Sequence, residues 1–149
     1  MHRSLVVAMT LLLLGACKHE MEPPDREARV SDAEARFAET RFDTLTWSSE
    51  DQRAMDGNAV FAAKCRNCHG TLGEGGTEYA AGRGLAVPSL VVREWALGDS
   101  LDAVRRRVFV GHASGMPTWG VAGISPREID AVSFYVVESL RPEVLGSGG

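Results

Sequence analysis

Five consecutive residues, Cys65-Arg66-Asn67-Cys68-His69, restrict this chain more than any other part of its sequence. Two thiols three positions apart, at the end of a helical stretch, can each add to one vinyl group of a haem. The histidine directly after them is then placed beneath the macrocycle as a neutral imidazole donor to iron. Other chemistries also use paired cysteines. Half of a zinc site needs two further ligands, and there is no second cysteine pair. A thioredoxin-like redox pair needs a strand–helix–strand setting that the pattern does not offer. A plain Cys65–Cys68 disulfide is the simplest alternative and predicts no visible absorption. The pentapeptide by itself favours haem and leaves the disulfide open.

A second donor for iron is found downstream, in Gly111-His112-Ala113-Ser114-Gly115-Met116-Pro117. The glycines allow the backbone a close turn, and Pro117 stiffens the loop just past the thioether. Met116 is the candidate sixth ligand, and a Met/His pair raises haem potential. Its plainer role is that of a core gap-filler. His112 is the rival ligand, and Met55 is read as a packing residue on the first helix of the domain.

Helix signals frame these motifs. Ser49 and Gln52 form a capping box that opens a helix reaching Lys64, with Ala54, Gly57, Val60 and Phe61 on one stripe. Ser100 precedes Leu101, Val104 and Val108 at helical spacing, with Gly111 as the stop. Ser125-Pro126-Arg127-Glu128 starts a third helix, expected to run through Ile129, Val132 and Leu140 and to end at Arg141-Pro142. The intervening chain is loop, dense in glycine from Gly70 to Gly84. So much loop leaves a thin core, near the size where small domains are marginal. A cofactor would complete it.

These features together resemble a class I cytochrome c over residues 47–141. The resemblance implies an all-α, loop-rich fold, with N- and C-terminal helices crossing around one covalently bound haem c. The Gly-x-x-x-aromatic of the family's first helix is matched by Gly57 and Phe61, and the aromatic that packs across that glycine by Tyr135. A mid-helix glycine costs about 1 kcal/mol against alanine, so close helix approach is a reason to keep one. Cys65 and Cys68 are then the thioether residues, with His69 and Met116 as axial ligands. Pro88 matches the proline whose carbonyl accepts the proximal histidine's Nδ1–H. The insert between His69 and Pro88 is longer than in compact members. Trp119 and Arg83 are candidates to face the propionates, or have surface or core roles.

The N-terminus carries an address. His2 and Arg3 precede the apolar run Leu5–Leu14, too short as a helix to span a bilayer. Leu14-Gly15-Ala16-Cys17 resembles a bacterial lipobox, which implies cleavage before Cys17 and its lipidation. The expected organisation is a signal peptide at 1–16, the lipidated Cys17 with a charged tether to 46, the haem domain at 47–141 and a flexible tail at 142–149. Ser31-Asp32-Ala33-Glu34 would cap a transient helix in the tether, and the alternative for this segment is an arm packed onto the domain.

Charge narrows the function. With 16 Lys+Arg against 20 Asp+Glu, the formal net charge of −4 offers no default nucleic-acid surface. Arg105-Arg106-Arg107 reads as a solvated helix face. The resulting expectation is an exported, membrane-anchored, single-electron carrier, with a protein donor and acceptor and no small-molecule substrate. It is not itself an enzyme. The alternatives are a haem c subunit of a larger membrane oxidoreductase complex, and a peroxidase or gas-binding protein with a displaceable methionine.

Overall fold

Two helices that meet at one glycine organise the computed structural model, which describes residues 25–146. In chain order the helices are α1 (Arg26–Arg36), α2 (Glu50–Val60), α3 (Arg66–His69), α4 (Glu78–Ala81), α5 (Leu101–Val110), α6 (Trp119–Ala122), α7 (Pro126–Phe134) and α8 (Arg141–Gly146). A π-helical turn, Phe61–Cys65, joins α2 to α3, and a second, Tyr135–Leu140, joins α7 to α8. No β-strand occurs among the described residues, so the all-α expectation holds.

The helix starts follow local chemistry. Ser49 accepts from the Gln52 amide at 3.1 Å, although the Gln52 side chain turns to Asp56 rather than closing the box. Ser100 accepts from the Ala103 amide at 3.2 Å. At Ser125 the box is complete: its hydroxyl accepts from the Glu128 amide, and the Glu128 carboxylate accepts from the Ser125 amide at 2.7 Å. Those bonds to Ser125 hold the Glu128 carboxyl below its ordinary range.

The crossing of α2 and α7 is set by Gly57. A methyl group there would stand 2.6 Å from Tyr135 Cβ and collide with the Ala131 carbonyl oxygen. One turn on, the Phe61 and Tyr135 rings meet with centroids 5.7 Å apart. Phe61, Val104, Val108, Ile129, Val132 and Leu140 form the centre of the core. On an isolated helix Gly57→Ala would add about 1 kcal/mol. Here it should cost about 1–3 kcal/mol, as overpacked contacts do. Urea unfolding of the holoprotein measures the sign.

A buried carboxylate ties three helices together. Asp130, only 1% exposed, accepts from Trp47 Nε1 at 2.8 Å and from Arg53 Nε and Nη2 at 2.8 and 2.6 Å. Arg105 Nε donates to it at 2.9 Å, and Arg105 Nη2 also pairs with it. The Arg105–Arg107 run is therefore a solvated face only at Arg106. Arg105 is held by Asp130 and Asp102, Arg106 pairs with Glu34 at 2.6 Å, and Arg107 donates to the Gly111 carbonyl.

Three further expectations are corrected. Residues 25–46 are not a tether: α1 begins at Arg26 with Asp25 as its cap, Ser31 lies mid-helix, and Ala33 and Phe42 are buried. Phe37 stands edge-on to Phe109 at 5.5 Å, so the arm's few apolar residues complete the domain's core instead of building one. Pro142 does not end the last helix. It sits in the first turn of α8, where a missing N–H is tolerated, directly after a wide π-helical turn. Residues 142–146 are accordingly helical, with Val144 packed on the core. Met55 is 66% exposed and packs little. The apolar run Leu5–Leu14 and Cys17 lie outside the described residues. No described helix is long and apolar enough to cross a membrane.

Candidate haem site

The first π-helical turn ends on Cys65, and α3 carries Cys68 and His69 in the next turn. Gly70, at φ 83°, stops the helix and returns its amide to the Arg66 carbonyl at 2.8 Å. The glycine-rich insert then folds back onto the motif. The Gly75 amide donates to the His69 carbonyl at 2.7 Å, and Thr77 Oγ1 donates to the Asn67 carbonyl at 2.6 Å. The CxxCH turn is thus held through its backbone carbonyls.

Both thiols are free and half-buried. Burial, with a smaller contribution from Cys68, pushes the Cys65 thiol up to about 12. A redox dithiol needs the opposite shift, toward a reactive thiolate. Burial also holds the His69 imidazole below the ordinary histidine range, so it is neutral at pH 7 and offers a lone pair. No cluster of three or more His, Cys, Asp or Glu side chains among the described residues is placed to hold a metal ion.

His69 Nδ1 is buried without a hydrogen-bond partner. The bond expected from it to the Pro88 carbonyl is therefore not formed. Pro88 does reach this region. A Cβ on Gly75 would lie 3.0 Å from the Pro88 oxygen and 2.6 Å from the Val87 oxygen, while the Gly75 amide bonds His69. The insert glycine stands against both residues and bonds the histidine's carbonyl, so Pro88 lies close to the backbone turn that carries His69.

The Met116 loop is closed across its own neck. The His112 amide donates to the Met116 carbonyl at 3.0 Å, and the Gly115 amide donates to the His112 carbonyl at 3.0 Å. Gly111 has φ 74°, and a Cβ there would stand 2.5 Å from the Pro117 oxygen. Only glycine suits that position. Met116 is half-buried and packs on the core. His112 is exposed, and its Nδ1 accepts from the Ser114 amide at 3.1 Å. In a neutral ring that leaves the proton on Nε2, so His112 presents no free lone pair.

The donor set fits a haem c: two free thiols and a half-buried imidazole on consecutive helical turns, with a thioether on a glycine-closed loop. Arg83 stacks on Tyr79 at 3.6 Å, and Trp119 packs on the core. Motif reasoning missed Asp130. Asp130 gave only a weak signal, an acid inside the apolar run of α7.

Residues 52–136 match the family model for cytochrome c oxidase, cbb3-type, subunit III. The chain belongs to this family.

Named relatives agree. The chain is 32% identical to the cbb3-type cytochrome c oxidase subunit CcoP of Rhodobacter capsulatus over 94 residues, 59% of this chain and 30% of the relative. It is 25% identical to CcoP of Rubrivivax gelatinosus over 121 residues, 80% of this chain and 36% of that one. Against the FixP subunit of Azorhizobium caulinodans it is 32% identical over 83 residues, 56% of this chain and 26% of the relative. The chain thus spans about a third of these relatives or less. No solved structure matches it. Family membership makes this a cytochrome c domain, for which haem c is the implied cofactor. The relatives' names, as subunits of an oxidase, fit the complex-subunit alternative better than a free-standing shuttle.

Proposed function

We propose that this chain is a monohaem electron-transfer subunit serving a membrane-bound oxidoreductase of the oxidase type its relatives' names describe. One observation carries the reading: in a member of this family, the Cys65–Cys68–His69 turn is accompanied by a glycine-closed loop presenting Met116. Cys65 and Cys68 would hold haem c through two thioethers, and His69 and Met116 would hold its iron. When bound, the group supplies a one-electron ferrous/ferric couple. His69 contributes a neutral imidazole because burial keeps it unprotonated. Gly111 and the His112–Met116 backbone bond hold the thioether in place, while His112 is engaged with Ser114. With His69 and Met116 both holding the iron, oxygen would find no open position, which supports relay over catalysis by this chain itself.

The anchoring part of the reading is lipidation of Cys17 after export. Only residues 18–24 separate Cys17 from the packed arm. Even fully extended, that length reaches at most about 25 Å. The haem domain would therefore stay close to its membrane rather than roam.

Met116→Ala should abolish the weak long-wavelength band of sulfur-ligated ferric haem and open the ferrous protein to carbon monoxide. His112→Ala should leave the low-spin spectrum intact. Loss of the low-spin spectrum in His112→Ala with retention of the band in Met116→Ala would overturn the ligand assignment. Partnership is tested by adding the holoprotein to membranes that carry the oxidase but lack this chain. Restored oxygen uptake is the expected result.

A further inference from the structure

The arm formed by residues 25–46 lies ahead of the family-matched region, yet it is docked against the loop that carries Met116. Phe37 meets Phe109 edge-on at 5.5 Å, and Phe42 is buried with the Arg105 guanidinium 5.1 Å over its ring. Glu34 pairs with Arg106 of α5 at 2.6 Å. So docked, α1 lays its N-terminal turns beside the loop. A cavity of about 270 Å³ is lined by Arg26, Arg29 and Val30 of α1 and by His112, Met116 and Pro117 of the loop. A Cβ on Gly115 would stand 3.3 Å from Arg26 Nη1.

The charges in this region are unevenly matched. Arg36 pairs with Asp32, Arg106 with Glu34, and Arg105 with Asp102 and Asp130. Asp25 is turned to the Ala28 amide as the helix cap. Arg26 and Arg29 make no ion pair among the described residues. Two guanidinium groups without an ion-pair partner among the described residues therefore line the same cavity as the proposed sulfur ligand.

We propose that the arm is a clasp on the redox site: Arg26 and Arg29 are positioning residues whose charge favours the ferrous state, and docked α1 restrains the Met116 loop against opening. The inference rests on the His69/Met116 reading above. A cation near iron repels the extra positive charge of the ferric form, so it raises the reduction potential. At a partly solvated site that effect weakens as salt shortens the screening length, about 10 Å at 0.1 M. A loop covered by a docked helix opens less often than a free one, and opening limits access of outside ligands to iron.

The test uses the full-length holoprotein. R26Q/R29Q should lower the reduction potential at low ionic strength, the difference from the parent should shrink at high salt, and R26K/R29K should restore it. These positions are exposed, so the substitutions leave the core unaltered. Phe37→Ala, which loosens the arm, should speed carbon monoxide binding to the ferrous protein several-fold while the long-wavelength band persists at rest. An unchanged potential in R26Q/R29Q at low salt overturns the electrostatic half. An unchanged carbon monoxide rate in Phe37→Ala overturns the restraint. Absence of the long-wavelength band in the parent protein would instead sink the Met116 ligation, which keeps the two failures separate.

Discussion

Replacing Cys65 and Cys68 by serine should yield a chain that no longer keeps haem through denaturing electrophoresis or acid-acetone extraction, whereas the parent chain should stay red in both. Two thioether bonds are the only links expected to survive those conditions. The larger consequence is for folding. The core is confined to a narrow set of residues around Phe61, Ile129, Val132 and Leu140, while the chain between α4 and α5 is loop. Small domains with limited burial are marginally stable. Without the macrocycle, the double variant should show a broad, poorly cooperative melt by circular dichroism. A cooperative melt near the parent's temperature would mean that the side chains fold the domain unaided.

Asp130→Ala should be the most damaging single substitution outside the haem motif. It removes the acceptor shared by Trp47, Arg53 and Arg105 and leaves two guanidinium groups facing a buried site. Breaking a buried ion pair from one side costs about 3–5 kcal/mol, against a total stability of about 5–15 kcal/mol. Urea unfolding should show the midpoint falling accordingly. The pH dependence has a definite sign. Burial pushes the Asp130 carboxyl up, but hydrogen bonds and charge from Arg53 and Arg105 outweigh it, and the net shift is downward. A carboxyl depressed in the folded state contributes stability above its unfolded value, about 3.9. That stability is lost as pH falls through the lower folded value. The parent should therefore lose a step of stability below about pH 4. Asp130→Asn, which does not titrate, should lack that step.

The readable parts of this protein are those governed by neighbours a few positions apart. Ser49, Ser100 and Ser125 act as helix caps because a hydroxyl accepts from an amide three residues on. Gly57 marks the helix crossing because only a missing side chain permits that approach, and Tyr135 stands where the resemblance puts it. Gly111 turns the Met116 loop for the same local reason. The CxxCH motif carries its donor atoms within five residues, so its candidate chemistry needs no knowledge of the fold.

Tertiary structure alone decided the rest. Residues 25–46 read as a solvated tether because their apolar residues are too sparse to build a core, yet Phe37 and Phe42 need only a partner surface, which α5 and its Phe109 provide. Arg105 reads as solvated until Asp130, 25 positions away, is folded against it, and Arg53 reaches the same carboxylate from 77 positions away. Pro88 matches a family position, but whether its carbonyl accepts from the His69 ring depends on how the glycine insert folds, and in this structure Nδ1 has no partner. Hydrophobic periodicity reports which face of a segment is buried, not which distant face covers it. Charge partners and docked arms depend on that second fact, and it exists only once the helices have packed.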